Sequence, residues 1–168
     1  MSTSAIPGVV VAEHRTFPDQ RGTFLELMRG SDYPVEFVQA NHSFSRAGVL
    51  RGLHHHQHQY DLWYVVKGRA QIALADLRGT TPMVESFELD GSSATTLLIP
   101  PGVAHGYLAL EDLDLIYLVT QTYDPSDEHG IAWNDPTLAI EWKASDPVLS
   151  PRDQTNPPLR WPTSLSSS

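Results

Sequence analysis

Short apolar runs alternate with turn-forming residues along most of this 168-residue chain. Leu62–Val66 is followed by Lys67-Gly68 and then by Arg69–Ala75, an order that predicts a hairpin. Within the second arm, Ala70, Ile72 and Leu74 alternate with Arg69, Gln71 and Ala73, the period of a strand with one buried face. Thr95–Ile99, Tyr107–Leu110 and Leu113–Val119 are similar runs, separated by Pro100-Pro101-Gly102 and by Glu111-Asp112. Nowhere does a long apolar stripe recur at the 3.6-residue helical period with capping residues at its ends. Many short strands at this spacing predict an all-β sandwich or barrel, specifically a jelly roll, and disfavour an alternating βαβ fold.

The 13 prolines and 11 glycines are spread evenly, so no linker divides the chain, and one domain spanning residues 1–168 is expected. From Asn156-Pro157-Pro158 to Ser166-Ser167-Ser168 the composition becomes that of a polar tail, expected to be flexible over about residues 160–168. Zero cysteines exclude a disulfide scaffold, an iron–sulfur cluster, a thiolate zinc site and a cysteine nucleophile. Apolar runs such as Trp63-Tyr64-Val65-Val66 are too short to span a bilayer. The N-terminal stretch lacks the basic region of a signal peptide, so a cytoplasmic location is expected. Eleven Lys and Arg against 20 Asp and Glu leave a formal net charge of −9. Such a surface argues against nucleic-acid and anionic-membrane partners, yet is compatible with a small anionic ligand held by local arginines.

Candidate chemistry concentrates in Arg51-Gly52-Leu53-His54-His55-His56-Gln57-His58, where four of the eight histidines fall within five residues. A solvated polar loop is the simplest reading. Alternate strand residues share a face, however, which would aim His54 and His56 together into the barrel interior. A second segment, Pro100-Pro101-Gly102-Val103-Ala104-His105-Gly106-Tyr107, sets His105 between a rigid turn and a strand. Alone, a histidine there is more often structural; paired with the first segment it becomes informative.

These segments belong to a longer series in order. It comprises Asp19–Glu26, Gln39–Ser45, Gly48–His54, Asp76-Leu77-Arg78, Ile99–Tyr107, Tyr117, Tyr123-Asp124-Pro125, Trp133–Pro136, Ile140-Glu141-Trp142 and Leu149–Asp153. Together they resemble the dTDP-4-dehydrorhamnose 3,5-epimerase family of nucleotide-sugar epimerases, which are cupin-like jelly rolls. The resemblance implies epimerisation at C3, C5 or both of a dTDP-4-keto-6-deoxyhexose without a cofactor. By the same resemblance His54 is the general base, Asp153 its orienting carboxylate and Tyr117 the proton donor. Arg21, Glu26, Gln39, Asn41, Arg51, His105, Glu128 and Arg152 fall on sugar-nucleotide contact positions. A homodimer is implied, in which the segment from Arg21 to Glu26 helps to complete a neighbouring site. The residue types suit the chemistry, since a neutral imidazole oriented by a carboxylate is an effective base near neutral pH.

One position departs from the family pattern. Counting back from Gly68, Asp61 stands where the family places a lysine against the ketone oxygen. A carboxylate there repels an enolate, so a nearby imidazole held protonated by Asp61, or Arg51, becomes the expected substitute. Asp61 also opens a second reading. His54, His56, Asp61 and His105 reproduce most of the ligand pattern of metal-binding cupins and could hold one divalent ion. A third reading is a non-catalytic carbohydrate- or nucleotide-binding cupin. It leaves the retention of His54, Tyr117 and Asp153 together without a purpose.

Overall fold

A computed structural model describes residues 4–160. The expected flexible tail therefore lies outside the described residues, apart from Arg160. The chain begins with β1 (Val10–Glu13) and the short hairpin β2 (Thr16–Asp19) and β3 (Gly22–Leu25). It continues through β4 (Gln39–Ser45), β5 (Leu50–His55), β6 (Asp61–Lys67), β7 (Arg69–Asp76) and β8 (Met83–Asp90). Then come β9 (Thr95–Ile99), β10 (Val103–Ala109), β11 (Leu113–Val119), the two-residue β12 (His129–Gly130) and a single-turn helix α1 (Pro151–Thr155).

Apart from the β2–β3 hairpin, the strands form two antiparallel five-stranded sheets, ordered β1-β9-β6-β11-β4 and β12-β5-β10-β7-β8. Both pack their inner faces on one core that includes Trp63, Val65, Ile72, Leu74, Leu97, Ile99 and Leu115. This is the all-β jelly roll that the strand spacing predicts.

The expected hairpin between β6 and β7 does not form. The two are consecutive in sequence but lie in opposite sheets, β6 between β9 and β11, β7 between β10 and β8. Gly68 makes the corner at φ +82, and a Cβ there would run into the Asp112 carbonyl oxygen. A two-residue turn would have kept both strands in one sheet; the corner instead lets both bury apolar residues from opposite sides of the barrel.

Nor is β7 half-buried as its alternation suggests. Every residue from Ala70 to Asp76 is buried. The inward face (Ala70, Ile72, Leu74) joins the main core. The outward face is roofed by the C-terminal segment, where Ala73 and Ala75 pack with Ile131 and Leu138, flanked by Ile140 and Trp142. Gln71 stitches that roof to the sheet: its Nε2 donates to the Glu141 carbonyl (2.8 Å) and its Oε1 accepts from the Lys143 backbone (2.8 Å). The buried amide is thereby satisfied on both ends.

Candidate active site

Side chains of both sheets line a cavity of about 900 Å³. Sheet geometry decides which residues face it. Tyr117 stands opposite Asn41 on β4 and opposite Trp63 on β6, so the three side chains share the inward face. From the other sheet, β5 and β10 supply Arg51, His54, His105 and Tyr107, and His56 follows from the turn after β5. His54 and His56 both line the cavity, as strand alternation requires, whereas His55 points away and stacks on His129 at 5.0 Å.

Glycine permits the close approach that brings β5 against β10. Gly52 has φ +131, and a Cβ there would lie 2.7 Å from the Gly106 Cα. No other residue fits at Gly52 without moving backbone. The β5–β10 register also shifts between His105 and Tyr107, which re-aims the neighbouring side chains.

His54 and Asp153 meet from distant parts of the chain. His54 Nε2 lies 2.7 Å from Asp153 Oδ1. Asp153 is held by α1: Ser150 caps the helix, its Oγ accepting from the Asp153 backbone N–H at 3.1 Å, and Pro151 occupies the first turn. That Ser-Pro start is a helix signal legible in the sequence, although no helix was expected there. Burial alone would raise the Asp153 pKa. The hydrogen bond and charge of His54, with help from Ser150 and the Gly52 backbone, outweigh burial and hold it below the usual carboxylate range. Because the carboxylate only accepts, Nε2 carries the hydrogen and Nδ1 is the basic nitrogen of His54. Across the cavity, burial raises the Tyr117 phenol above its ordinary value, with the Asp61 charge acting in the same direction.

Among the other expected contact residues, Gln39, Asn41, Arg51, His105, Glu128 and Arg152 line the cavity. Gln39 Nε2 donates to Asn41 Oδ1 at 2.8 Å, and Arg51 Nε donates to Ser45 Oγ at 3.0 Å. Arg152 pairs with Glu128 at 2.7 Å. Arg21 and Glu26 are not among the cavity residues: Arg21 pairs with Asp19 on the exposed β2–β3 hairpin, and Glu26 pairs with Arg29 just beyond it.

Asp61 is buried at 4 % exposure and accepts from Gln59 Nε2 (2.7 Å) and Trp63 Nε1 (3.2 Å). It does not hold His105 protonated. Burial pushes the His105 pKa well below its ordinary value against the upward pull of Asp61. The four-residue ligand set expected from sequence is also not assembled: His56, Asp61 and His105 converge, while His54 is engaged by Asp153. Gln59, Trp63 and Asp127 escaped the sequence reading. Asp127 ties the loop after β5 in place by accepting from the backbone N–H groups of Gln57 (2.8 Å) and His58 (3.2 Å). Its only sequence cue is the turn composition of Asp124-Pro125-Ser126-Asp127.

The family model described as dTDP-4-dehydrorhamnose 3,5-epimerase matches residues 3–160. This chain belongs to that family. It is accordingly an enzyme of the isomerase class. Spore coat polysaccharide biosynthesis protein SpsL of Bacillus subtilis is 39% identical over 145 residues, covering 82% of this chain and 96% of that protein. The dTDP-4-dehydrorhamnose 3,5-epimerase of Pseudomonas aeruginosa is 37% identical over 163 residues, covering 89% of this chain and 90% of the enzyme. Among solved structures, the Bacillus anthracis dTDP-4-dehydrorhamnose 3,5-epimerase with TDP and pyrophosphate bound superposes with a TM-score of 0.89 at 32% identity. That match covers 94% of this chain and 97% of the other. Likeness to the epimerase family thus extends over both sheets and the C-terminal roof that carries Asp153. No helix among the described residues is long and apolar enough to cross a membrane.

Proposed function

We propose that this chain inverts the configuration of a carbon beside the C4 ketone of a dTDP-4-keto-6-deoxyhexose, at C3, C5 or both. The observation that carries this reading is the His54–Asp153 pair at 2.7 Å on one wall of a cavity whose other wall presents Tyr117. His54 Nδ1 takes the proton from the carbon next to the ketone, and the C–H electron pair moves into an enolate. Asp153 stabilises the imidazolium that results. Tyr117 then delivers its phenolic proton to the opposite face of the same carbon, and the enolate collapses to the ketone with inverted configuration. Exchange with solvent returns a proton to Tyr117 and removes one from His54. These transfers use side chains alone.

Arg51 and Arg152 line the cavity and supply the guanidinium groups that clamp the diphosphate. The TDP in the Bacillus anthracis relative supports a thymidine diphosphate handle. Arg21 and Glu26 act in a homodimer, where the exposed β2–β3 hairpin of one protomer reaches the cavity of its partner. The testing experiment is incubation with dTDP-4-keto-6-deoxyglucose in D₂O, followed by NMR and mass spectrometry. Deuterium at C3 or C5 locates the chemistry. Absence of exchange with this and related 4-keto sugars rejects the reading.

A further inference from the structure

His56, Asp61 and His105 arrive from the turn after β5, the first position of β6 and the third position of β10. Each brings one ligand-type atom to within 4.8 Å of the others, and Asp61 Oδ2 lies 3.8 Å from His105 Nε2. Their outer hydrogen bonds decide what these atoms offer. His105 Nδ1 is 3.0 Å from the Val103 carbonyl oxygen, and His56 Nδ1 is 3.1 Å from the Asp127 carbonyl oxygen. A carbonyl only accepts, so in both rings Nδ1 carries the hydrogen. In its neutral form each ring then has its single N–H at Nδ1 and keeps the Nε2 lone pair for a ligand.

His105 Nε2 faces Asp61 Oδ2, itself only an acceptor, and His56 brings a ring nitrogen into the same group. Three ligand-type atoms thus gather around one buried carboxylate, an arrangement that a cation suits. Each of the three is also oriented from behind. His56 and His105 are tied to backbone carbonyls, and Asp61 is held by Gln59 and Trp63. Outer partners of this kind set the tautomer and direction of metal ligands. Ligand atoms about 2.1 Å from a tetrahedral ion sit about 3.4 Å apart, so the observed spacing needs only side-chain closure.

We propose that His56, Asp61 and His105 form a binding site for one first-row divalent metal ion, with its remaining coordination positions open to the cavity. Two imidazoles and a carboxylate suit Zn(II), Co(II), Fe(II) or Mn(II). The site stands on its own geometry. Its consequence for catalysis rests on the epimerase reading: a dication here would give the ketone oxygen an electrophilic partner and offset the Asp61 charge that otherwise repels an enolate.

The test uses full-length protein without a histidine tag, stripped with chelator, desalted and titrated with Co²⁺. One equivalent should bind and produce the visible d–d absorption of a low-coordinate Co(II) site. His56→Ala should lose both the band and the stoichiometric binding. His58→Ala and His54→Ala should keep them, because neither residue is a ligand. Absence of the band in the unaltered protein, or its persistence in His56→Ala, overturns the site. The His54→Ala variant separates the two readings: it should abolish deuterium exchange while retaining Co²⁺. Loss of the Co²⁺ site with exchange intact rejects the metal alone, and a Co²⁺ site in a protein without exchange rejects the epimerase alone.

Discussion

Asp153 accepts a 2.7 Å hydrogen bond from Nε2 of His54 across 99 positions of sequence. The carboxylate is only 4 % exposed, so this bond fixes the imidazole tautomer in a site shielded from competing water. Asp153→Asn keeps the shape but removes the charge that stabilises an imidazolium. Deuterium exchange from D₂O into the keto sugar should fall by ~100- to 10,000-fold. Unchanged circular dichroism together with an unchanged exchange rate would refute the base assignment.

Tyr117 lies on the sheet opposite His54, so removing its hydroxyl should separate abstraction from inversion. Tyr117→Phe is expected to keep solvent exchange at the substrate carbon while lowering the yield of inverted product by ~100-fold or more. Because burial raises the phenol pKa, Tyr117 should contribute no alkaline limb to the rate profile below its ordinary titration range. Comparing deuterium uptake with product configuration by NMR checks both statements.

His55 faces away from the cavity, and burial, reinforced by the stacked His129, pushes its pKa down to about 4. An unfolded chain takes up this proton near pH 6.5, so the folded state binds fewer protons between about 6.5 and 4. Stability from this group is therefore complete above pH 6.5 and is lost progressively as pH falls toward 4. Melting temperature measured across that window should decline, and His55→Asn should flatten the slope. An identical slope in the variant would exclude His55 as a contributor.

Gly52 occupies a left-handed conformation with the Gly106 backbone directly beside it. Gly52→Ala should destabilise the fold by about 2–5 kcal/mol through strain and overpacking together. Urea denaturation measures the cost. A loss below about 0.5 kcal/mol would mean that β5 and β10 separate easily, and that the placement of His54 does not depend on this contact.

Phe17 and Phe24 are 46% and 65% exposed on the β2–β3 hairpin, an apolar surface that a partner protomer would cover. Sedimentation should give about twice the 18.6 kDa chain mass, and Phe24→Glu should return it to the monomer value with loss of exchange activity. A monomeric, fully active parent protein would remove the shared-site arrangement and the roles of Arg21 and Glu26.

Local pattern alone determined the strand-rich architecture and the shared inward face of His54 and His56, because strand periodicity depends only on neighbouring residues. The ordered motifs from Asp19 to Asp153 likewise identified the family without any three-dimensional information. Sheet partnership was different. Leu62–Val66 and Arg69–Ala75 read as a hairpin, yet they lie in opposite sheets, joined by a corner at Gly68 where the Asp112 carbonyl of the β10–β11 connection leaves no room for a side chain. The double-sided burial of β7 was equally illegible, since the roof over Ala73 and Ala75 arrives from residues after β12. Asp61 shows the same division at the level of charge. Its position beside a histidine suggested a protonated imidazole, but only the folded core determines that burial of His105 outweighs the attraction. Short-range preferences are written residue by residue; desolvation and cross-barrel contact are collective, and they exist only once the sheets have closed.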